Sequence, residues 1–431
     1  MARPRIVIVG AGFAGFAAAR TLAKLTRGGA EIVVVNPTDY FLYLPLLPEV
    51  AAAILEPRRV TVSLAAALPG VQVVLGHVDE FDLDGHQVGY RDPEGRRGTI
   101  GYHRLVIAAG SVNKLLPVPG ITRYAHGFRG IGEAVYLRDH ITRQIEMAAT
   151  AESDEEQRAR CTFVVVGAGY TGTEVAAQGV LYTRNLVKHR PELHDKPRWL
   201  LIDTADRVLP SLDERLGRAS DAVLRDRGVE LLMQTSVKEA EAGGVRLSTG
   251  EYVATRSLIW CVGVRPDPVV AGLGLPLREG RLVVDEFLTV PGYPEVYAVG
   301  DAAAVPDLTA PGQITGMTAQ HAVRQGAVAA KNIAASYGRG RRRAYRHHDL
   351  GFVVDLGGLS SAANPLGVPL KGFPAKVVTR GYHLLSMPGN RIKVAADWLL
   401  DTLLPRQGVQ LGLVPGEAVP LDSAAPESPT S

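Results

Sequence analysis

The sequence lacks several features that define specialised classes of protein. No apolar run reaches the roughly 18 residues that a membrane-spanning helix needs, so we expect any membrane contact to be peripheral. The two cysteines, Cys161 and Cys261, form no CxxC pair and are too few for a disulfide framework. The formal net charge is only +3, so charge alone predicts no nucleic-acid partner.

The remaining composition is that of a globular protein with more than one domain. The chain has 431 residues, of which 46% are apolar and 21% are charged, and this length predicts two or three domains. Short β-branched strands alternate with helical segments, which is typical of α/β architecture. The first residues are typical of a strand and not of a signal peptide, so we expect a cytoplasmic protein. The sequence predicts no metal site.

A glycine-rich turn stands between a predicted strand and a predicted helix near the N-terminus. We expect the strand at Arg5–Val9, the helix at Phe13–Thr26 and the next strand at Glu31–Val35. The turn has the GxGxxG pattern, with glycines at Gly10, Gly12 and Gly15. The first glycine allows a tight bend, the second lets a diphosphate approach the backbone, and the third lets helix and strand pack closely. The free N–H groups of the helix favour an anion, so the turn predicts a dinucleotide site.

The sequence leaves two candidates for the residue that contacts the adenosine ribose at this first site. An acidic residue about 20 positions after the turn normally accepts hydrogen bonds from the ribose. Here Asn36 ends the second strand, and its amide oxygen accepts hydrogen bonds without a charge. Asp39 follows shortly after and is the alternative.

The same βαβ pattern returns in the middle of the chain. We expect its strands at Thr162–Val166 and Trp199–Ile202 and its helix at Thr171–Leu186. The glycines of this second turn are Gly167, Gly169 and Gly172. A repeat of the whole unit, with the turn in the same context, is a stronger signal for dinucleotide binding than either copy alone.

Three charged residues bear on the chemistry of the second turn. Asp203 ends the second strand, where a carboxylate accepts from a ribose 2′-hydroxyl and repels a 2′-phosphate, so NADH is favoured over NADPH. Arg207 lies nearby and either weakens that preference or is a solvated surface charge. Glu174 lies in the first turn of the helix, where it either stabilises the helix dipole or relays a proton near the nicotinamide.

Two such units, the second nested in the domain of the first, resemble the flavoproteins that have two dinucleotide-binding domains. Further stretches in the family's order are Gly76–Val78, Leu105–Ser111, Leu258–Pro266 and Val296–Asp301. The resemblance implies an α/β fold of two Rossmann-type domains, with the NADH domain inserted in the FAD domain, and a C-terminal extension. The residues that it places around the FAD are Phe13, Ala14, Val78, Ala109, Gly110, Gly300 and Asp301. Those that it places at the NADH are Thr171 and Gly263.

Within that superfamily the chain most resembles the type II NADH dehydrogenases, the single-subunit NADH:quinone oxidoreductases. The stretches that carry this resemblance are Asp39–Pro48, Gly167–Glu174 and Thr318–Gly326. The first of them implies a cofactor contact at Pro45. The last is similar to the family's quinone-pocket motif AQxAxQxG, and Arg324 stands where the motif has its second Gln.

This resemblance implies an activity in two half-reactions. Hydride passes from NADH to the N5 atom of FAD, and two electrons then pass to menaquinone or ubiquinone, without proton pumping. The residues implied in catalysis are Glu174, Gln320 and Arg324. A capping or packing role is the alternative for Gln320.

Other branches of the superfamily give alternative functions. Disulfide reductases and sulfide:quinone oxidoreductases need paired cysteines near the flavin, whereas Cys161 is expected to begin one strand and Cys261 to lie within another. A soluble reductase of a small redox protein, such as a ferredoxin or a rubredoxin, would not need the C-terminal extension. A third alternative is a flavin-bearing regulatory binding protein of the apoptosis-inducing-factor type.

The C-terminal region resembles the membrane-binding tail of type II NADH dehydrogenases. The apolar residues at helical spacing are Ile392, Ala395, Ala396, Leu399 and Leu403, with Trp398 beside them. Arg391, Lys393 and a basic stretch at 339–346 would contact anionic lipid headgroups on the inner face of the cell membrane. The alternatives are a helix that packs on the protein or forms a homodimer seam, and a solvated loop for the basic stretch.

These signals predict five segments of chain. They are an FAD-binding part at 1–115, an NADH-binding domain with a lead-in helix at 116–280, a second FAD-binding part at 281–345, a C-terminal domain at 346–414 and a disordered tail at 415–431. We expect the lead-in helix at Glu133–Thr150, a charged surface loop at Ala151–Arg160 and strands that return to the first domain within Val283–Asp301.

Overall fold

The chain folds into two compact units, and the computed structural model describes residues 3–422. Unit 1 consists of Met1–Leu42, Thr61–Val112 and Val264–His348. Unit 2 consists of Tyr43–Val60, Asn113–Gly263 and Asp349–Ser431. The first glycine turn therefore belongs to unit 1 and the second to unit 2.

Most strands are short and fall into several sheets. In chain order they are β1 (Arg5–Val9), β2 (Glu31–Asn36), β3 (Tyr40–Leu42), β4 (Thr61–Ser63), β5 (Gln72–Leu75), β6 (His77–Asp82), β7 (Gln87–Arg91), β8 (Arg97–Gly101), β9 (Arg104–Ile107), β10 (Ser111–Asn113), β11 (Ala125–Gly127), β12 (Thr162–Val166), β13 (Arg198–Ile202), β14 (Val229–Leu232), β15 (Val237–Glu241), β16 (Gly244–Leu247), β17 (Tyr252–Ala254), β18 (Ser257–Trp260), β19 (Val264–Pro266), β20 (Leu277–Arg278), β21 (Arg281–Val283), β22 (Thr289–Val290), β23 (Tyr293–Ala298), β24 (Ala303–Ala304), β25 (Val353–Asp355), β26 (Ser361–Ala363) and β27 (Leu370–Lys371).

The helices range from a single turn to several turns. In chain order they are α1 (Phe13–Thr26), α2 (Leu47–Ala51), α3 (Pro57–Val60), α4 (Leu64–Ala67), α5 (Ile121–Tyr124), α6 (Ile131–Ala149), α7 (Asp154–Cys161), α8 (Tyr170–Leu186), α9 (Glu214–Asp226), α10 (Ala319–Ser336), α11 (Gly372–Ser386) and α12 (Arg391–Leu403). Short 3-10 helices include Leu44–Leu46, Pro268–Leu273 and Gly300–Ala302.

The core of unit 1 is a sheet with the strand order β22-β23-β9-β1-β2-β5, parallel except at β22. β1 pairs with β2 and β9, which places Val7 opposite Val33 and Leu105. Ile6, Val7 and Ile8 are fully buried, as is typical of a parallel sheet covered on both faces. β23 returns after the intervening domain and pairs in parallel with β9. The prediction that the second domain is inserted in the first is therefore confirmed.

Helices α1 and α10 of unit 1 pack closely because a glycine lies where they meet. A Cβ on Gly326 would lie 2.1 Å from the carbonyl oxygen of Ala14, which is shorter than real contacts allow. Gly326 is the last residue of the stretch Thr318–Gly326 that resembles the quinone-pocket motif, so the glycine of that stretch has a packing role.

The core of unit 2 is a second parallel sheet, with the strand order β11-β18-β12-β13-β14. Its central strand β12 places Val164 opposite Leu200 of β13 and Leu258 of β18. The C-terminal part of the unit is the antiparallel sheet β25-β26-β27 followed by α11 and α12. Among the described residues, no helix combines the length and the apolar character that crossing a bilayer requires.

The predicted surface loop at Ala151–Arg160 is wrong, because most of it forms helix α7. The Ser153 side chain caps the helix by accepting the Glu156 N–H at 3.2 Å, and Glu156 forms an ion pair with Arg256 at 2.5 Å. A polar helix that is held by a cap and by ion pairs needs no apolar stripe. The hydrophobic pattern therefore gave no sign of it.

The unit boundaries also differ from the predicted segments. Residues 43–60 and the C-terminal region from 349 belong to the compact unit that holds the second turn. The predicted disordered tail begins at 415, yet Gly416–Ala418 form a 3-10 turn. Leu421 is only 2% exposed and packs in the apolar core of unit 2. Residues 423–431 of that tail lie outside the described part of the chain.

Candidate dinucleotide sites and the buried carboxyl cluster

The first glycine turn joins β1 to α1 in unit 1. Gly10 has a φ of +90°, and a Cβ there would lie 2.4 Å from the carbonyl oxygen of Ala108. A Cβ on Gly15 would lie 1.8 Å from the carbonyl oxygen of Gly10. The packing of the protein itself therefore requires glycine at the first and third positions of the motif.

The middle glycine of each turn has no such requirement. A Cβ on Gly12 or on Gly169 would meet no protein atom within 4 Å. A diphosphate that approaches the backbone does require the absence of a side chain at this position. The open space in front of both turns therefore fits the diphosphate of a dinucleotide such as FAD or NADH.

Asn36 holds the first turn from the end of β2. Its Oδ1 accepts the Ala11 N–H at 2.8 Å, and its Nδ2 donates to the carbonyl oxygen of Thr38 at 2.8 Å. Asp39 is exposed beyond the strand. Of the two residues that the sequence offered, Asn36 is the one that lies at the turn.

The late motif predicted to contact the flavin is fixed by two hydrogen bonds within unit 1. Ser111 Oγ donates to Asp301 Oδ2 at 2.7 Å. The Gly300 N–H donates to Gln325 Oε1 at 2.8 Å. Ala109 and Gly110 lie in the short link between β9 and Ser111. These residues all belong to unit 1.

The remaining predicted flavin contacts are distributed over both units. Phe13 and Ala14 begin α1, and the ring centroids of Phe13 and Phe41 are 5.1 Å apart. Val78 is buried in β6 of unit 1. Pro45 lies in the 3-10 helix Leu44–Leu46, which belongs to unit 2. The structure thus groups Pro45 with the second turn and not with the first.

The second turn repeats the geometry of the first in unit 2. Gly167 has a φ of +105°, and a Cβ there would lie 2.2 Å from the carbonyl oxygen of Cys261. A Cβ on Gly172 would lie 1.8 Å from the carbonyl oxygen of Gly167. The two turns therefore share one architecture.

Asp203 takes the same place at the second turn that Asn36 takes at the first. Its Oδ2 accepts the Ala168 N–H at 2.5 Å, and its Oδ1 accepts the Ala205 N–H at 2.8 Å. The carboxylate therefore lies at the turn and brings a negative charge that Asn36 does not have.

The other residues predicted at the second turn lie at different positions around it. The Arg207 guanidinium donates to the carbonyl oxygens of Pro210 and Leu212 at 2.9 and 2.8 Å, so it holds the loop after β13. Thr171 is exposed at the start of α8, and Gly263 has a φ of +107° at the end of its segment of unit 2. Both lie in the unit of the second turn.

Glu174 lies near the start of α8, and its carboxyl group is buried. Its Oε1 accepts the Asp355 N–H at 2.8 Å. Burial of the carboxyl group raises the pKa of Glu174 well above its ordinary value, and the nearby charges of Asp355 and Glu49 raise it further. Glu174 therefore keeps its proton at pH values where an exposed glutamate has lost it.

Three buried residues that sequence reasoning missed form a carboxyl cluster with Glu174 in unit 2. They are Glu49, Asp355 and Lys376. Lys376 Nζ lies 2.6 Å from both carboxylate oxygens of Asp355. Trp398 Nε1 donates to Glu49 Oε2 at 2.5 Å. The cluster thus places an ion pair and two further carboxyl groups in one interior.

The predicted quinone-pocket residues lie at the start of α10 in unit 1. Gln320 is half-buried in the first turn of the helix. Arg324 donates to the carbonyl oxygen of His348. Gln325 is fully buried, and its Nε2 donates to Thr315 Oγ1 at 3.0 Å. Arg324 is therefore held by backbone, while its neighbour Gln325 supports the late flavin motif.

Neither cysteine supports disulfide chemistry. Cys161 ends helix α7, directly before β12, and Cys261 directly follows β18. Both cysteines were expected within a strand, and each lies one residue outside it. Burial raises the pKa of the Cys161 thiol to about 11. Burial also raises the pKa of the Cys261 thiol. Because the thiolate is the reactive species in disulfide exchange, the disulfide-reductase alternative has no support here.

Comparisons with known proteins agree with this geometry. The pyridine nucleotide-disulphide oxidoreductase family matches residues 4–326. The type II NADH:quinone oxidoreductase Ndh of Mycobacterium tuberculosis is 31% identical over 94% of this chain and 89% of its own length. The demethylphylloquinone reductase NdbB of Synechocystis is 28% identical over 93% and 97% of the two chains.

A solved structure has the same fold over nearly the whole chain. NDH2 from Plasmodium falciparum in complex with NADH matches with a TM-score of 0.87 at 15% identity, over 95% of this chain and 100% of that one. The chain therefore belongs to the pyridine nucleotide-disulphide oxidoreductase family and, within it, to the type II NADH:quinone oxidoreductases.

Proposed function

We propose that this protein is an FAD-dependent NADH:quinone oxidoreductase that binds FAD at the first turn and NADH at the second. The observation that carries the proposal is the duplicated turn whose middle glycine faces open space at Gly12 and at Gly169. FAD, when bound, accepts a hydride from NADH and passes two electrons to the quinone. The protein contributes binding, orientation and proton supply.

Asp203 supports NADH as the nucleotide of the second turn. Its carboxylate lies at the turn through two backbone hydrogen bonds, and it repels the 2′-phosphate that distinguishes NADPH. Arg207, the cation that would offset this effect, is engaged with the carbonyl oxygens of Pro210 and Leu212. We therefore assign the nucleotide preference to Asp203.

The proposal is tested on the purified full chain in two steps. The visible spectrum must first show bound flavin. Steady-state oxidation of NADH and NADPH is then measured with a menaquinone or ubiquinone analogue, and separately with ferredoxin or rubredoxin as acceptor. We expect NADH with the quinone to give the fastest turnover. Faster turnover with a protein acceptor would instead assign the chain as a soluble reductase of a small redox protein.

Glu174 is our candidate for the proton donor in quinone reduction. Reduction of a quinone to a quinol by NADH takes up one proton beyond the hydride. Glu174 keeps a proton because burial raises its pKa, and proton transfer by a placed side chain contributes about 10²- to 10⁴-fold to a rate. Glu174→Gln should therefore slow turnover about a hundredfold or more while the flavin spectrum stays unchanged. Stopped-flow rates equal to those of the parent protein would remove Glu174 from the mechanism.

The outer face of α12 supports peripheral membrane contact. Ile392, Leu399 and Leu403 are 86%, 60% and 68% exposed, while Trp398 and Val394 on the opposite face are buried. The helix therefore packs on the protein with one side and leaves an apolar stripe outside. Such a stripe beside Arg391 and Lys393 suits an anionic lipid surface.

The double substitution of Leu399 and Leu403 by serine tests this contact. Removing two leucines from a lipid contact should weaken binding to anionic phospholipid vesicles by about tenfold or more in a sedimentation assay. The matched control replaces Leu277 and Leu308, which are exposed on unit 1, and should bind as the parent does. A change in oligomeric state without vesicles, with unchanged sedimentation, would assign the stripe to a homodimer seam.

A further inference from the structure

The single lysine of the carboxyl cluster is already committed to one partner. Lys376 Nζ lies 2.6 Å from each carboxylate oxygen of Asp355. Asp355 Oδ1 also accepts from Gln178 Nε2 at 3.3 Å and from the Gly357 N–H at 2.7 Å. The charge of Lys376 is thus neutralised by Asp355, and the two other carboxyl groups of the cluster have no cation of their own.

Glu49 is one of these two groups and is only 2% exposed. It lies on α2, which packs directly against α8, the helix that carries Glu174. Glu49 Oε2 accepts the Trp398 Nε1–H at 2.5 Å. Among the described residues, no donor lies within hydrogen-bond distance of Glu49 Oε1. The Arg380 guanidinium stacks 4.8 Å from the centre of the Trp398 ring instead of pairing with this carboxyl group.

The remaining charged groups around α2 do not supply a partner either. Helix α6 packs on α2, and its Arg138 is turned to the neighbouring Asp139 at 3.7 Å and to Glu56 at 4.0 Å. On α12, Asp397 is paired with Arg59 at 2.6 Å. On α11, burial lowers the pKa of His383 to about 4, so that this ring is neutral at neutral pH. The relevant titration is therefore that of Glu49 and Glu174.

Two buried carboxyl groups that face the same neutralised ion pair cannot both ionise easily. The first ionisation leaves one uncompensated buried charge, and the second has to overcome the repulsion of the first. Burial, and after it the charge of Asp355, raises the pKa of Glu49 to about 7. The charge of Glu49 in turn raises the pKa of Glu174. An ionised Glu49, packed through α2 against the helix of Glu174, therefore favours the protonated form of Glu174.

We propose that Glu49 is a positioning residue for quinone reduction, because its ionised carboxylate keeps Glu174 protonated in alkaline solution. This inference rests on the proposed function, in which Glu174 gives a proton to the quinone. The reaction balances as NADH + H⁺ + quinone → NAD⁺ + quinol. The proton is the one that leaves Glu174, which is then reprotonated from water. Glu49 itself neither donates nor accepts in that step.

The isosteric substitution Glu49→Gln tests the inference through the pH profile of kcat. The amide oxygen still accepts from Trp398, but the group cannot become charged, so the pKa of Glu174 falls. We expect the alkaline decline of kcat to move to lower pH by about one unit, with the KM for NADH and the flavin spectrum unchanged. The matched control is Glu56→Gln, which removes a side chain that is 66% exposed from the same segment and should leave the profile in place.

A second measurement keeps the inference separate from the activity. The infrared C=O band of protonated carboxyl groups is titrated in the parent, in Glu49→Gln and in Glu174→Gln, which assigns the Glu174 component. Loss of that component at lower pH in Glu49→Gln supports the coupling, even in a protein that fails to reduce quinone and so fails the proposed function. Loss at the same pH in the parent and in Glu49→Gln, or coincident kcat profiles, overturns the inference.

Discussion

Replacing Gly169 with alanine will leave the purified protein yellow but will raise its KM for NADH by about tenfold or more. The added methyl group meets no protein atom within 4 Å, so unit 2 should fold normally. It does occupy the place where a diphosphate must approach the turn, and each hydrogen bond lost to a charged group costs about 1.5–3 kcal/mol. The visible spectrum measures the bound flavin, and steady-state kinetics measure the KM for NADH.

The substitution Gly12→Ala is the reciprocal control. It places the same methyl group in the open space of the first turn, so the protein should fold, judged by far-ultraviolet circular dichroism, but should be purified without flavin. Together the two variants separate the sites. A Gly169→Ala protein with the parent's KM for NADH would show that the nucleotide does not use this turn.

Replacing Lys376 with methionine will destabilise unit 2 more than any surface substitution. The change leaves the Asp355 carboxylate buried without its cation, and breaking a buried pair on one side costs about 3–5 kcal/mol. For a chain of this size, the loss should lower the melting temperature by roughly 3–6 °C. Differential scanning calorimetry on the flavin-loaded protein gives the value.

Two further variants identify the cause of that destabilisation. Adding Asp355→Asn to Lys376→Met removes the orphaned charge and should recover part of the loss, which identifies the charge as the cause. The control Lys238→Met removes a lysine that is exposed on the same unit and should change the melting temperature little. If Lys376→Met melts with the parent, the ion pair contributes nothing to stability.

The elements that could be predicted from the sequence are those whose signal is local. The GxGxxG turns are recognised from the spacing of their glycines between a strand and a helix, and α1 has the predicted bounds Phe13–Thr26. Helix α7 was missed although its signal was also local, because Ser153 and Glu156 stand at the spacing of a capping box. Hydrophobic periodicity does not indicate this helix, because a short polar helix has no apolar stripe.

The carboxyl cluster could not be predicted, because no spacing connects its members. Glu49, Asp355 and Lys376 come from α2, β25 and α11, and only the folded unit brings them to Glu174. One partial signal was present. Lys376 shares a face of α11 with the buried residues Ala375, Thr379 and His383. A lysine on the buried face of a helix indicates a buried partner, but it does not identify that partner.

Asn36 and Asp203 occupy equivalent positions at the two turns, so the difference between them concerns the ligand that each turn binds. Each side chain accepts a hydrogen bond from the alanine N–H of its turn, and the two differ in charge. Flavin adenine dinucleotide has no common relative that carries an extra ribose phosphate, so a neutral amide suffices where it binds. Nicotinamide nucleotides occur in both forms, and only there does the chain keep an anion. We therefore expect the duplicated scaffold to discriminate between the two forms of its ligand at the second turn and not at the first.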